Sequence, residues 1–246
     1  MNIQNKKVLV TGGGSGIGFS IAKAFADKGN QVIIFGRTED RLKGAVAKLP
    51  NASYVVGDVT NEKDVLALVK QVKENYGGID ILVNNAGTGR PQPLDGSDNI
   101  IESARYEIEL NYLSVVRLTS LLLPALKASK EAAIINIQSI VSYVPSTYLA
   151  TYSASKAALH SYSQSLRLVL QQSAPQVKVF EVFPPYVDTD LTKNLEASKL
   201  SPEEVSSDLI QALESDSFAI RNGITKDIYQ LFRQSPEEAL LALNAK

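Results

Sequence analysis

Val8-Leu9-Val10-Thr11-Gly12-Gly13-Gly14-Ser15-Gly16-Ile17-Gly18 is the stretch on which the fold turns. An apolar run suited to a buried strand passes through a glycine-rich turn into the first residues of a helical stretch. Gly12 permits a tight turn; Gly16 and Gly18 allow close backbone approach and close packing of helix on sheet. A helix that starts there presents unpaired N–H groups and the positive end of its dipole, which suits a dinucleotide pyrophosphate. Gly12, Gly14, Ser15, Gly16, Ile17 and Gly18 are therefore candidate cofactor contacts. The plainer alternative is a glycine-rich turn that binds nothing.

Outward from this turn, short apolar runs alternate with longer amphipathic ones. Strands are predicted over 8–11, 31–35, 54–56, 79–83, 133–137 and 177–183, and helices over 17–28, 39–48, 62–76, 106–127 and 151–172. The strands are rich in Val and Ile and apolar on both faces, as a buried parallel sheet requires. The alternation predicts an α/β fold, a Rossmann-like doubly wound parallel sheet flanked by helices on both faces. In such sheets ligands bind beyond the C-terminal strand ends, at the switch point. Ser201-Pro202-Glu203-Glu204 and Ser235-Pro236-Glu237-Glu238 read as capped helix starts. They predict helices over 202–214 and 236–244, flanking a short strand around 218–220. The chain reads as one nucleotide-binding domain, 1–246, with a C-terminal helical extension from about residue 201.

Bulk composition narrows the chemistry. The chain has 246 residues, 44% hydrophobic and 21% charged, with a formal net charge of −1. That balance gives no reason to expect nucleic acid or an anionic membrane as partner. With no cysteine and a single histidine, His160, thiolate metal sites and disulfides are excluded, and a histidine-based metal site or triad is hard to build. No metal is expected, and His160 is assigned to packing or an interface. The polar N-terminus is not a signal peptide, no apolar stretch is long enough to span a bilayer, and a cytoplasmic location is expected.

Tyr152 and Lys156 stand one helical turn apart. The spacing is common by chance, and the plain reading is two ordinary helix-face residues. Its interest is chemical: a lysine ammonium near a phenol, together with an oxidised nicotinamide ring, favours phenolate and is expected to lower the phenol pKa. The second strand ends Phe35-Gly36-Arg37-Thr38. An acidic residue there favours NAD through the ribose hydroxyl. Gly36 followed by Arg37 and Thr38 instead offers a planar fork and a hydroxyl for a 2′-phosphate, so NADP(H) is favoured and NAD(H) left open. The alternative is a solvated loop charge.

Taken together, Thr11–Gly18, Asn84-Asn85-Ala86-Gly87, Asn111, Ser139 and Tyr152-Ser153-Ala154-Ser155-Lys156 resemble the short-chain dehydrogenase/reductase family in order and interval, over roughly residues 5–192. The 184–189 segment and tail are also similar to a bacterial subgroup found beside teichoic-acid D-alanylation genes. The resemblance implies a catalytic tetrad of Asn111, Ser139, Tyr152 and Lys156. Tyr152 is then the general acid/base, Ser139 holds the substrate oxygen, Lys156 also binds the nicotinamide ribose, and Asn111 positions a water in the proton path. It further implies cofactor contacts from Asp58, Val59, Asn85, Ala86, Gly87, Val187 and Thr189. Asp58 has a second reading as the N-cap of the third helix. Ser15 stands where NADP-specific relatives often carry Arg or Lys.

Two features depart from the family pattern. Pro184-Pro185 replaces Pro-Gly after the sixth strand, and the tail carries an extra helix. The common tetramer contacts are put in doubt, while a dimer through the long helices over 106–127 and 151–172 is retained. The expected activity is NADP(H)-dependent reduction of a small carbonyl compound, or oxidation of the alcohol, by a homo-oligomer. A cofactor-binding sensor or scaffold without turnover is the alternative; a sugar-nucleotide epimerase fits less well, because the chain is short. Residues 88–105, 140–150 and 186–200 are expected to shape the substrate pocket, with Tyr143, Tyr148 and Leu191 lending it apolar or aromatic character. Residues 186–200 are expected to form a lid.

Overall fold

The computed structural model describes residues 1–92, 94, 96 and 100–245. Pro93, Asp95 and residues 97–99, part of the expected pocket segment 88–105, lie outside the described residues. Seven strands form one parallel sheet: β1 (Lys7–Thr11), β2 (Gln31–Gly36), β3 (Ala52–Val56), β4 (Ile81–Asn84), β5 (Ala132–Ile137), β6 (Val177–Phe183) and β7 (Ala219–Arg221). Their order is β3-β2-β1-β4-β5-β6-β7, so the winding reverses between β1 and β4. This places the glycine turn after β1 beside the Asn84–Gly87 turn after β4, at the crevice where doubly wound sheets bind ligands.

Strand alternation builds two cores. Val8 and Val10 of β1 face one side with Val32, Ile34, Ile81, Val83, Ile135 and Phe180, packed by α1 (Gly16–Ala26) and α7 (Pro202–Ser215). Leu9, Ile33, Leu82, Ile134 and Val179 face the other, under α3 (Glu62–Tyr76), α5 (Ser114–Ala128) and α6 (Ala150–Ser173). The central strands are consequently largely apolar on both faces, because both are covered; the buried exceptions Asn84, Asn136 and Glu181 are hydrogen-bonded. α2 (Glu39–Val46) lies between β2 and β3.

Three elements differ from the sequence reading. The single helix expected over 106–127 begins earlier, as α4 (Ile100–Ile108), and passes through a π-helical turn, Glu109–Leu113, before α5. Apolar periodicity does not register one inserted residue, yet this turn carries Asn111, and such turns gather at functional sites. An additional helix, α8 (Thr225–Gln234), stands between β7 and α9 (Pro236–Asn244). No side-chain cap marks its start, since Ile224 precedes it. At the third helix Asn61 is the N-cap, accepting from Lys63 N and Asp64 N. Asp58 instead closes a short turn, accepting from Thr60 N and Thr60 Oγ1, both at 2.8 Å.

The expected caps at Ser201 and Ser235 are present. Ser201 and Glu204 form a full capping box, and Ser235 accepts from Glu238 N. α8 and α9 pack on Ile140, Val141 and Val144, with Tyr143 and Tyr152 against the same cluster. Tyr143 stacks on Phe183 at 4.5 Å and also meets Tyr229 and His160. It therefore belongs to the packing under the C-terminal helices rather than to an open aromatic pocket wall. His160 contacts Tyr143 and Phe183 edge-on and bonds the buried Glu181 through Nδ1 at 2.6 Å, a packing role. Among the described residues no helix is long and apolar enough to cross a membrane, and no group of metal-ligating side chains is assembled.

Candidate active site

The glycine turn is shaped by what surrounds it. Gly12 has φ +66°, and a Cβ on it would sit 2.9 Å from Asn85 Nδ2; one on Gly13 would meet Ile34 Cγ2 at 2.6 Å. Gly16, at φ +53°, lies under Thr189, which places the segment after β6 against the mouth of the turn. Thr11 Oγ1 ties the neighbouring strand end in, accepting from Asn85 N and Ala86 N at 3.0 Å. The Asn85 amide donates to the Thr11 and Gly12 carbonyls at 2.9 and 3.3 Å. Asn85, expected as a cofactor contact, thus acts through its side chain as the clamp that holds the turn. Val59 and Val187 are buried, whereas Ala86, Gly14 and Ile17 remain partly exposed and Gly87 is exposed.

A nicotinamide dinucleotide fits this crevice on the evidence of its caps. Ser15 and Thr38 begin α1 and α2 as N-caps, and neither side chain caps its own helix. The first N–H groups of α1 are left for an anion, and both hydroxyls stay available. Arg37 follows β2, with its side chain 63% exposed. Its guanidinium leans on Asp58 at 3.7 Å and donates to Tyr106 Oη at 3.1 Å. Arg37 and Asp58, expected to contact the 2′-phosphate and the adenine, are therefore neighbours beyond the ends of β2 and β3.

The four residues of the expected tetrad converge at the far end of the crevice. Ser139 follows β5 and caps a short 3-10 turn, Ile140–Ser142. Tyr152 and Lys156 project from the first turns of α6. Lys156 is 4% exposed and donates to Ile137 O at 2.7 Å; its Nζ lies 5.7 Å from the Tyr152 ring centre. Burial lowers its pKa to about 8. The Tyr152 phenol is pushed up to about 12, chiefly by burial, with Ser139 hydrogen bonding lowering it and the charge of Glu107 raising it. The expected lowering rests on Lys156 together with an oxidised nicotinamide ring, and the protein groups alone act the other way. The Lys156 ammonium stands over the ring rather than at the hydroxyl, so desolvation prevails among the protein groups.

Asn111 is fully buried, and its amide is engaged on three sides. Oδ1 accepts from Thr88 N at 3.0 Å, and Nδ2 donates to Thr88 O and to Ser155 Oγ, both at 2.9 Å. Its side chain pins the loop after β4 to α6, a contact that spacing alone did not reveal. Sequence reasoning also missed Glu107. This carboxylate is fully buried, accepting from Arg90 N at 2.8 Å and from Thr151 Oγ1 at 2.5 Å. It lies four residues before Asn111 on α4, and no motif announces it.

The segment 186–200 leaves and returns at one point. Val187 and Leu200 form a bridge, with Asp188 N donating to Leu200 O at 2.8 Å and Leu200 N to Tyr186 O at 3.0 Å. Between these ends, Asp190 pairs with Arg41 of α2 at 3.1 Å, while Leu191 is 55% exposed.

Comparison with known proteins identifies the family of this fold. The family profile described as short chain dehydrogenase matches residues 6–200. The uncharacterized oxidoreductase DltE of Bacillus subtilis is 38% identical over 193 residues, covering 78% of this chain and 76% of that protein. A short chain dehydrogenase from Burkholderia cenocepacia, solved in complex with NADP, superposes with a TM-score of 0.86 at 30% identity, covering 100% of both chains. L-Sorbose reductase from Gluconobacter frateurii, solved with NADPH and L-sorbose, superposes with a TM-score of 0.79 at 29% identity, covering 89% of this chain and 94% of that one. The chain belongs to the short-chain dehydrogenase family, whose oxidoreductases act on alcohol and carbonyl groups with nicotinamide cofactors.

Proposed function

We propose that the chain is an NADP(H)-dependent carbonyl reductase, or alcohol dehydrogenase in the reverse direction, with Tyr152 as general acid/base. The observation that carries this reading is the convergence of the Ser139 hydroxyl, the Tyr152 phenol and the buried Lys156 at one end of the crevice. Arg37, Thr38 and Ser15 at the other end favour a 2′-phosphate, and NAD(H) remains the second choice. Relatives solved with NADP and with NADPH point the same way.

In this reading the bound cofactor supplies the hydride. Ser139 and Tyr152 both hydrogen-bond the substrate oxygen, and Tyr152 donates its proton to that oxygen as negative charge develops. A phenol held well above neutral pH by burial is stored in the protonated form that reduction requires. Lys156, with its pKa brought down to about 8, is placed to bind the nicotinamide ribose and return a proton to Tyr152. Asn111 fixes the loop over Tyr152, leaving its Oδ1 and the Lys156 ammonium facing the space beside Gly87.

The rim carries exposed Tyr148, Tyr186, Leu191 and Leu195, which favours an apolar or aromatic carbonyl substrate. Leu113, Leu121, Leu168 and Val169 are exposed on the helices expected to form a dimer. Turnover of a carbonyl panel, including L-sorbose and aromatic ketones, is followed by NADPH absorbance in the parent and in Tyr152→Phe. The variant is expected to bind NADPH normally and to lose turnover by about 100-fold or more. Unchanged kcat would remove Tyr152 from the chemistry. The sensor or scaffold reading draws no support from the relatives, which are oxidoreductases.

A further inference from the structure

We infer that Glu107 is a positioning residue for Tyr152, acting through a two-rung ladder that it forms with Asn111; this rests on Tyr152 being the proton donor. Glu107 and Asn111 lie four residues apart on α4 and the π-helical turn, and Thr151 and Ser155 lie four apart on α6. Glu107 accepts from Thr151 at 2.5 Å, and Asn111 donates to Ser155 at 2.9 Å, so the two rungs straddle Tyr152. The same two side chains also grip the loop after β4. Asn111 holds Thr88 N and O, and Glu107 holds Arg90 N at 2.8 Å.

Gly89, between the two grips, lies flat on the phenol ring; a Cβ there would come 2.9 Å from Tyr152 Cγ. The ring is thereby confined on one face by a loop that Asn111 and Glu107 hold on either side of Gly89, and its helix is pinned before and after Tyr152. A proton donor so confined retains the geometry its transfer needs.

Glu107 also contributes charge. It is fully buried and, among the described residues, has no ion-pair partner. Arg90, the cation of the adjoining loop, directs its guanidinium over the Tyr106 ring at 5.0 Å. The groups facing Tyr152 are Lys156 on its own helix, Glu107 from α4, Ser139 from the end of β5, and the apolar side of α8, α9 and residues 140–144. Glu107 is the negative charge among them and opposes phenolate formation, keeping Tyr152 protonated for reduction.

The test uses the full-length protein with 3-fluorotyrosine placed genetically at position 152, comparing the parent with Glu107→Gln and Thr151→Val. Fluorine NMR follows ionisation at that position, and amide exchange follows Arg90. In Glu107→Gln the titration midpoint is expected to fall by about one pH unit. Thr151→Val keeps the charge, so its midpoint should stay higher than that of Glu107→Gln. In this variant the Arg90 amide is expected to exchange about tenfold faster as the rung opens. Both substitutions preserve shape, so loss of folding does not obscure the result. An unmoved midpoint in Glu107→Gln, or Arg90 exchange unchanged in Thr151→Val, overturns the assignment. Neither readout needs turnover, so this failure is distinct from that of the Tyr152 proposal, which only the Tyr152→Phe assay decides.

Discussion

Burial of Lys156 brings its pKa from 10.5 to about 8, because charging an ammonium in a desolvated site costs free energy that water would otherwise supply. Between those values the unfolded chain holds more protons than the folded one, so stability contributed by this site rises with pH from about 8 to 10.5. Below that window the buried charge destabilises the fold by about 3 kcal/mol, an order-of-magnitude figure. Lys156→Met removes the charge and leaves Ile137 O without its donor, a loss of about 1 kcal/mol. The variant should therefore be about 2 kcal/mol more stable than the parent near pH 7 and lose that advantage as pH approaches 10. Urea unfolding of both proteins at a series of pH values measures it. The range stops at 10, since Tyr152, raised from 10.0 to about 12, contributes with opposite sign above that. Beyond β2, Arg37→Asp replaces an exposed guanidinium with a charge that repels a 2′-phosphate. NADPH binding should weaken by about 2 kcal/mol and NADH binding far less, as read by fluorescence titration. Equal losses would mean that Arg37 does not read the phosphate.

The elements most sensitive to a single added carbon are the glycine turn and the start of α1. Gly18 packs directly on the Gly12 carbonyl and the Asn85 amide, both fixed by the clamp described above. Gly18→Ala should lower stability by about 1–3 kcal/mol and weaken cofactor binding, because neither neighbour has room to withdraw. Gly44, within α2, has nothing within 4 Å of an added Cβ. Gly44→Ala should stabilise the protein by about 0.5–1 kcal/mol through helix propensity. Denaturant midpoints for the pair separate crowding from a general intolerance of substitution. A stabilising Gly18→Ala would mean that the turn is not held as closely as its contacts imply.

Across the whole molecule, the segment 186–200 joins the glycine turn, α2 and the C-terminal part of the sheet. Its base is closed by the Val187–Leu200 bridge and by the Thr192 hydroxyl on Val187 O, while its outer part is tied by the exposed Arg41–Asp190 pair. Exposed ion pairs of this kind contribute little. The base amides of Asp188 and Leu200 should therefore be protected from hydrogen exchange in the free protein. Amides over 190–199 should gain further protection with NADPH and a carbonyl substrate bound. Full protection before any ligand is added would make this segment a fixed wall.

The alternation of Val- and Ile-rich runs with amphipathic ones, and the glycine turn between the first pair, was enough to determine the parallel doubly wound sheet, because each pattern is local and each burial requirement repeats along the chain. Asn111, Ser139, Tyr152 and Lys156 were singled out through their order and intervals, and the fold brings them to one end of the crevice. What the neighbours of these residues do was decided only by folding. The π-helical turn at Asn111 leaves no trace in apolar periodicity, and α8 starts without a cap. Tyr152 receives its raised pKa from burial and from Glu107, which lies 45 positions away in a helix that touches α6 only after the sheet is assembled. Long-range desolvation and charge depend on distances that no spacing along the chain encodes.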